Sequence, residues 1–230
     1  MFRQLMLLLF CGLTIACMPT ITRATVPVEG KDYTVIKTPV KDAPSVVEFF
    51  SFYCPPCAAF SGRYQVSKAV ENILPPGEKV VKYHVDTMGP FGMELTEAWS
   101  VATVLGVEDK VELPLFVAVQ INRSIRTEAS IRQVFIEAGV SARDYDAARD
   151  SLAVRALTVR QQEAVKAYDV MGTPSFFVNG KYRVNNGAIR PSGAQDYGQS
   201  FADMVSALLK QQGGESRKSA AVNVEFVSDE

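Results

Sequence analysis

The spacing of apolar residues changes along the chain, and each change predicts a secondary-structure element. Residues 45–52, Ser-Val-Val-Glu-Phe-Phe-Ser-Phe, form a short run rich in β-branched and aromatic side chains, which predicts a buried strand. From Ala58 to Ile73 apolar residues recur at helical spacing until Leu74-Pro75-Pro76-Gly77 ends the pattern, and residues 79–85 alternate as a second strand. These segments predict a strand–helix–strand unit with a right-handed crossover.

The middle of the chain has a different pattern. Between about Leu95 and Asp169 turn signals are few, and apolar residues keep helical spacing. Residues 131–138 and 145–157 predict amphipathic helices, which Gly139-Val140-Ser141 separates by a helix end followed by a new cap. We therefore expect a helical insertion.

Strand character returns after this block. Segments 175–178 and 181–184 are strand-like and are joined by Asn179-Gly180, a strong signal for an antiparallel hairpin. Residues 197–210 predict a last amphipathic helix. The remainder, 211–230, is rich in Gly, Ser, Lys and acidic residues, and we expect it to be a mobile tail.

The first residues predict export from the cytoplasm. Arg3 is followed by an apolar run, Leu5–Ala16, that is too short for a membrane span, and small residues at Thr22-Arg23-Ala24 predict cleavage of a signal peptide over 1–24. An alternative interpretation takes Thr14-Ile15-Ala16-Cys17 as a lipoprotein box, in which Cys17 would be lipidated.

Composition narrows the class of protein. The chain has a formal net charge of −1 and is 47% hydrophobic, which is typical of an ordinary globular protein and does not suggest a nucleic-acid partner. Its length favours one domain that carries an insertion.

The cysteines point to chemistry. Of four, Cys11 and Cys17 lie in or beside the predicted signal, which leaves only Cys54 and Cys57 in the mature chain. A disulfide framework is therefore excluded. A structural disulfide between two residues so close would restrain little of the unfolded chain. Metal binding is the other alternative, but zinc needs about four N or S ligands, and this chain offers two thiols and His84, its only histidine.

A Cys-Pro-Pro-Cys segment between a strand and a helix suits redox chemistry. Cys54 falls at the helix N-terminus, where free N–H groups favour a thiolate, and Pro55 is tolerated at the first helical position. Cys57 lies one turn inside and becomes the buried, resolving thiol. Since a stabilised thiolate lowers the energy of the reduced form, the disulfide should act as an oxidant. We expect His84 to be a packed core residue.

The segment Glu48-Phe-Phe-Ser-Phe-Tyr-Cys-Pro-Pro-Cys57 resembles the active-site segment of the DsbA family of periplasmic thiol:disulfide oxidases. Further segments are similar in the same order: Lys82–Val85, Ala98-Trp99, Leu105–Val111, Pro114–Phe116 and Gly172–Tyr182. The resemblance implies an α/β fold, namely a thioredoxin fold interrupted by a helical insertion domain. The expected divisions are a signal peptide (1–24), the first part of the thioredoxin fold (25–90), the insertion (91–168), the second part (169–210) and the tail (211–230).

The resemblance also implies supporting residues. Pro174, preceded by Thr173, would be a cis-proline that faces the cysteines and pairs with a client peptide, whereas sequence statistics alone favour an ordinary trans proline. Glu48 is a carboxylate within an apolar strand and needs a cation, and Lys82 on the following strand is the candidate partner. The resemblance implies that this pair lies below the cysteines and moves protons to and from Cys57; alternatively, Glu48 points to water. Many members of the family have His where this chain has Pro56, so we expect a weaker acidification of Cys54 than in those relatives.

As a whole, the sequence predicts a periplasmic oxidase that passes its Cys54–Cys57 disulfide to exported proteins, some of them related to virulence, and that needs no metal or other cofactor. The resemblance implies reoxidation by a DsbB-type membrane oxidase, and we expect a monomer. The alternatives are a disulfide reductase or isomerase, and a non-catalytic holdase that only binds unfolded peptides.

Overall fold

The computed structural model describes residues 26–191 and 197–225, with side chains described as far as Gln211. The predicted signal peptide and the alternative lipoprotein box at Cys17 lie outside the described residues. Within the described helices, none combines the length and the hydropathy that a membrane span requires.

A five-stranded mixed sheet forms the centre of the fold. Its strands are β1 (Tyr33–Val35), β2 (Val46–Phe50), β3 (Val81–His84), β4 (Ser175–Val178) and β5 (Tyr182–Val184). They are ordered β1-β5-β4-β2-β3, with β2 and β3 parallel and the other neighbours antiparallel. Every residue of β2 is buried, as expected for a central strand of dense apolar residues. The parallel β2–β3 pair and its strand–helix–strand connection are confirmed, whereas β1 was not predicted.

Helices cover both the crossover and the insertion. They are α1 (Pro55–Ala58), α2 (Val66–Glu71), α3 (Gly92–Leu105), α4 (Glu108–Phe116), α5 (Glu128–Glu137), α6 (Ala142–Arg149), α7 (Leu152–Ala167) and α8 (Tyr197–Glu225). Helices α3 to α7 lie in sequence between β3 and β4, so the predicted helical insertion into a mixed sheet is confirmed. Ser141 caps α6 through the Asp144 amide, and Gly139 has a φ of 89°, as the predicted division between two helices requires.

Two helices that were predicted to be continuous are interrupted in the structure. The helix expected over 58–73 changes to a π-helical turn at Ala59–Arg63 and breaks at Gln65, whose φ of 46° is left-handed. The helix expected over 145–157 ends at Arg149, because Ser151 caps a new helix by accepting a hydrogen bond from the Val154 amide. Local caps and turns therefore outweigh apolar spacing in both places.

The predicted hairpin is confirmed at β4 and β5. Asn179 and Gly180 both have positive φ, 52° and 61°, as a type I′ turn requires. A Cβ at Gly180 would lie 2.4 Å from the carbonyl oxygen of Val40, so the turn also needs the absence of a side chain there.

The last helix extends beyond its predicted end at Lys210. Helix α8 continues to Glu225, through a stretch that contains Glu215, Arg217, Lys218 and a pair of alanines. These residues favour helix and outweigh Gly213-Gly214. The mobility of the tail stays a prediction.

Buried aromatic and aliphatic side chains pack on both faces of the sheet. One core joins Phe50 and Phe52 to Trp99 and other residues of the insertion, and it includes both cysteines. A second core on the same face packs β4, β5 and α2 against α8 around Phe176 and Phe201. A third core, on the opposite face, packs Phe49 and Phe177 around Tyr168. The cysteines therefore lie where the sheet, the crossover helix and the insertion meet.

Candidate active site

Cys54 ends the turn that connects β2 to α1, and Cys57 lies within α1. Cys54 has extended backbone and is the N-cap residue of α1, so Pro55 is at the first helical position, as predicted. The amides of Cys57 and Ala58 donate to the Cys54 carbonyl (3.1 and 3.3 Å). Cys54 keeps 4% of its surface exposed and Cys57 none, and both are free thiols in the structure. Cys54 is thus the more exposed of the two cysteines.

The two sulfurs differ strongly in acidity. A hydrogen bond from the Cys57 side chain, aided by Thr173 and by the Cys57 amide, outweighs burial and lowers the pKa of Cys54 to about 6. Burial is the main cause that raises the pKa of Cys57, and its hydrogen bond to Cys54 adds to the effect. Near neutral pH, Cys54 is therefore a thiolate while Cys57 keeps its proton.

The segment before β4 faces these cysteines. The Thr173–Pro174 peptide bond is cis, and the neutral thiol of Cys54 donates to the Thr173 carbonyl at 3.2 Å. Asn186 donates to the Pro174 carbonyl (2.8 Å), which ties this segment to the turn after β5. Thr173 and Pro174, far from the cysteines in sequence, are brought into the same site.

A buried ion pair lies behind the cysteine turn. Glu48 and Lys82 are opposite each other in the parallel β2–β3 register, and Lys82 Nζ lies 3.0 Å from Oε2 of Glu48. Ser67 donates to the same oxygen (2.5 Å), whereas Oε1 of Glu48 is buried without a hydrogen-bond partner. Glu48 is 1% exposed and does not point to water.

Lys82 also binds a second carboxylate that the sequence did not indicate. Its Nζ lies 2.5 Å from Oε1 of Glu112 on α4, and Ser61 donates to that oxygen at the same distance. Burial raises the pKa of Glu48 despite the opposing charge of Lys82. Burial alone would lower the pKa of Lys82, but Glu48 and Glu112 outweigh it and raise that pKa.

The ion-pair network borders a solvent-accessible space. A cavity of about 500 Å³ is lined by Lys82 and Glu112 together with Trp99, Arg160 and Gln161 among other residues. Lys82 and Glu112 retain 13% and 15% exposed side chain, whereas Glu48 retains 1%. The network thus runs from a solvated rim to a buried carboxylate behind the cysteines.

Comparison with known proteins shows to which family the chain belongs. A family model described as DSBA-like thioredoxin domain matches residues 45–198. The chain belongs to the DsbA family. It is 46% identical over 183 residues to the thiol:disulfide interchange protein DsbA of Yersinia pestis, covering 80% of this chain and 88% of that one. The DsbA-type fold and a protein thiol:disulfide oxidoreductase activity follow from this membership.

Solved structures of the DsbA family agree. DsbA of Proteus mirabilis, in a Cys-to-Ser variant bound non-covalently to the peptide PWATCDS, is 46% identical with a TM-score of 0.77, over 80% of this chain and 98% of that one. SrgA of Salmonella enterica serovar Typhimurium is 41% identical with a TM-score of 0.73, over 77% of this chain and 99% of that one. The oxidoreductases of this family work with a redox-active disulfide. Among the described residues, no group of three or more His, Cys, Asp or Glu side chains could hold a metal.

Gln120 is a residue of the active site that was not predicted from the sequence. Its Nε2 donates to the carbonyls of Phe52 (2.8 Å) and Cys54 (3.1 Å), and so fixes the cysteine turn to the insertion. A single amide in the apolar run Val117-Ala-Val-Gln-Ile121 was the available signal, since a polar side chain among buried neighbours needs partners.

His84 has a structural role next to the active-site cysteines. Its Nε2 accepts from the Phe52 amide (3.1 Å), so Nδ1 carries the proton and faces the Thr96 hydroxyl at 2.7 Å. Burial lowers the pKa of His84 to about 3, which keeps the imidazole neutral in the physiological range. Its role is to support the backbone immediately before Cys54.

Proposed function

We propose that this DsbA-family chain acts as an oxidase, which donates the Cys54–Cys57 disulfide to cysteine-bearing exported proteins. The observation that carries the proposal is the unequal acidity of the two thiols at one turn, with the pKa of Cys54 lowered to about 6 and that of Cys57 raised. Stabilising the Cys54 thiolate favours the reduced enzyme, and therefore favours transfer of the disulfide to a client.

The transfer takes two exchange steps. A client thiolate attacks the Cys54 sulfur, a mixed disulfide forms, and Cys57 leaves with the electron pair of the broken S–S bond and takes up a proton. The second client thiolate then attacks the client sulfur of the mixed disulfide, and Cys54 leaves as a thiolate. The client is oxidised by two electrons and the enzyme is reduced by two. The greater exposure of Cys54 supports its assignment as the attacked sulfur.

Glu48 and Lys82 assist the proton transfer at Cys57 in this proposal. Because the pKa of Cys57 is raised, its thiolate is costly and must be protonated as it leaves. The pKa of Glu48 is also raised, so this carboxyl group exchanges a proton closer to neutral pH than an exposed glutamate does. Lys82, held between Glu48 and Glu112, stabilises the ionised form of Glu48.

Thr173 and Pro174 form the proposed peptide-binding edge. Both lie immediately before β4, and Thr173 contacts the Cys54 sulfur through its carbonyl. The relative from Proteus mirabilis binds a cysteine-containing peptide non-covalently, which supports binding of an extended client next to Cys54 in this chain.

We further place the protein in the periplasm, as a monomer reoxidised by a DsbB-type membrane oxidase. The periplasmic location rests on the export-signal pattern of residues 1–24 and on family membership. An oxidase that ends each cycle reduced requires an electron acceptor, which supports a reoxidising partner.

Equilibration with a glutathione redox series tests the direction of transfer. An oxidase should stay reduced until the buffer becomes strongly oxidising, whereas a reductase should already be oxidised in reducing buffers. The Cys54→Ala/Cys57→Ala variant separates catalysis from peptide binding. It should lose all oxidation of a reduced client, and retention of full cellular function would instead support the holdase.

A further inference from the structure

A second cavity adjoins the reactive cysteine on the side of the helical insertion. It has a volume of about 510 Å³, and Tyr53 and Pro55, the chain neighbours of Cys54, both line it. The opposite wall comes from Pro90 and from the segment 119–126. Because successive residues of an extended peptide are about 3.3 Å apart, a side chain next to a client cysteine at Cys54 can enter this cavity.

Most of the cavity wall is apolar and is fixed to the active site. Val119 and Ile125 are buried in the insertion core, whereas Ile121 is 74% exposed at the rim. Gln120, between them, is hydrogen-bonded to the carbonyls of Phe52 and Cys54. The wall therefore keeps a constant position relative to the reactive sulfur, and its apolar surface reduces solvent screening of any charge placed there.

Two arginines provide the charge. Arg123 and Arg126 line the cavity, are exposed, and form no ion pair with the described residues. Arg123 has a φ of 49°, a left-handed conformation that is uncommon for a residue other than Gly, Asn or Asp. Arg123 follows the π-helical segment Val117–Ile121, where a left-handed residue commonly ends a helix. A guanidinium group is suited to bind a carboxylate through two parallel hydrogen bonds.

We propose that this cavity is a specificity site for clients that carry an acidic residue beside the reactive cysteine. The inference rests on the proposed oxidase function and adds the class of client. Arg123 and Arg126 bind the client carboxylate beside the apolar wall formed by Val119, Ile121 and Ile125. The contact raises the rate at which the correct peptide reaches Cys54, and added salt weakens it.

The test uses three reduced dithiol peptides that differ only in one residue next to the first cysteine: Asp, Asn or Lys. Oxidised wild-type protein should oxidise the Asp peptide about tenfold faster than the Lys peptide at low ionic strength, because the two exposed arginines attract Asp and repel Lys, and both effects enter the ratio. The Asn peptide should react at an intermediate rate, and 0.5 M NaCl should reduce the preference for Asp.

A matched pair of variants assigns the preference to the cavity. The Arg123→Gln/Arg126→Gln variant should lose the preference for Asp and oxidise the Asn peptide at the wild-type rate. The Arg143→Gln/Arg155→Gln variant removes the same charge from exposed positions on α6 and α7 and should keep the preference.

Four outcomes would overturn the inference. A preference for Asp that survives in Arg123→Gln/Arg126→Gln places recognition elsewhere. An equal loss of this preference in both double variants shows that it depends only on the net charge of the protein. Equal oxidation of the three peptides by wild-type protein refutes the specificity site while leaving the oxidase intact. Failure to oxidise any of the peptides refutes the oxidase itself, and the inference with it.

Discussion

Replacing Lys82 by Met tests the buried ion pair most directly. Met keeps the length and the apolar stem of the side chain but removes the cation, which leaves Glu48 with 1% exposure and no opposing charge. Oε1 of Glu48 already has no hydrogen-bond partner in the wild-type protein, so the site offers little other compensation. Ser67 remains as the only hydrogen-bond donor that the described residues provide to this carboxylate besides Lys82.

Breaking such a pair from one side costs about 3–5 kcal/mol, because a buried charge stays uncompensated. The cost depends on pH. Burial raises the pKa of Glu48 in the folded protein, and the loss of Lys82 raises it further. Between the unfolded and folded pKa values of Glu48 the folded state binds more protons, so the free energy of unfolding falls as pH rises. Below the unfolded pKa, near 4.3, the carboxyl group is neutral in both states and this contribution to the loss disappears.

Urea unfolding of the oxidised protein at several pH values between 4 and 8 measures this effect. The Lys82→Met variant should lose about 3–5 kcal/mol near pH 7.5 and clearly less near pH 4. The Glu48→Gln/Lys82→Met variant removes both charges and should recover at least half of the loss at pH 7.5. A loss that is equal at both ends of the pH range would contradict an uncompensated carboxylate, as would a double variant that is no more stable than Lys82→Met.

Three further predictions concern the acidity of Cys54 and the packing at Gly92. Thiolate absorbance of the reduced protein should titrate near pH 6 for Cys54, and the reduced form should gain stability as pH rises from 6 towards 8.5; titration near 8.5 would contradict the site. Pro56→His should lower that pKa further by adding an imidazolium, and an unchanged thiolate titration would exclude this effect. Gly92→Ala should cost about 1–3 kcal/mol in urea unfolding, because its Cβ would lie 1.9 Å from the Asp86 carbonyl oxygen. Gly62→Ala, with only Leu113 at 3.5 Å, is the control and should stay within about 0.5 kcal/mol of wild type.

Local signals in the sequence were sufficient for much of the fold. A dense apolar run predicted β2, and Asn179-Gly180 predicted the β4–β5 hairpin, because each depends on residues adjacent in the chain. Strand β1 has three residues and its position depends on pairing with β5, a long-range contact that no local pattern reports. The break at Gln65 was missed for a different reason, since a local left-handed turn interrupts the chain while the apolar residues on both sides keep helical spacing.

Some residues of the candidate site were likewise indicated by the local sequence, whereas others are brought together only by the fold. Glu48 attracted attention because a carboxylate within an apolar run needs a partner, and Lys82 was the cation on the next strand along the chain. Glu112 carried no such signal, because acidic residues on helices usually face water and its contact with Lys82 depends on how α4 packs. Gln120 reaches the cysteine turn through its position in the π-helical segment Val117–Ile121, which apolar spacing does not predict.

The acidity of Cys54 shows why a motif alone does not determine the chemistry. Its nearest helix, α1, has four residues, and the leading contribution to the lowered pKa is the hydrogen bond from the Cys57 side chain. A hydrogen bond from the side chain of Thr173, a residue more than a hundred positions away in the sequence, lowers that pKa further. Cys57 can supply its hydrogen bond only while it keeps its proton, which its burial ensures. The same burial therefore raises the pKa of one sulfur and makes it the donor that lowers the pKa of the other, so the asymmetry belongs to the folded pair.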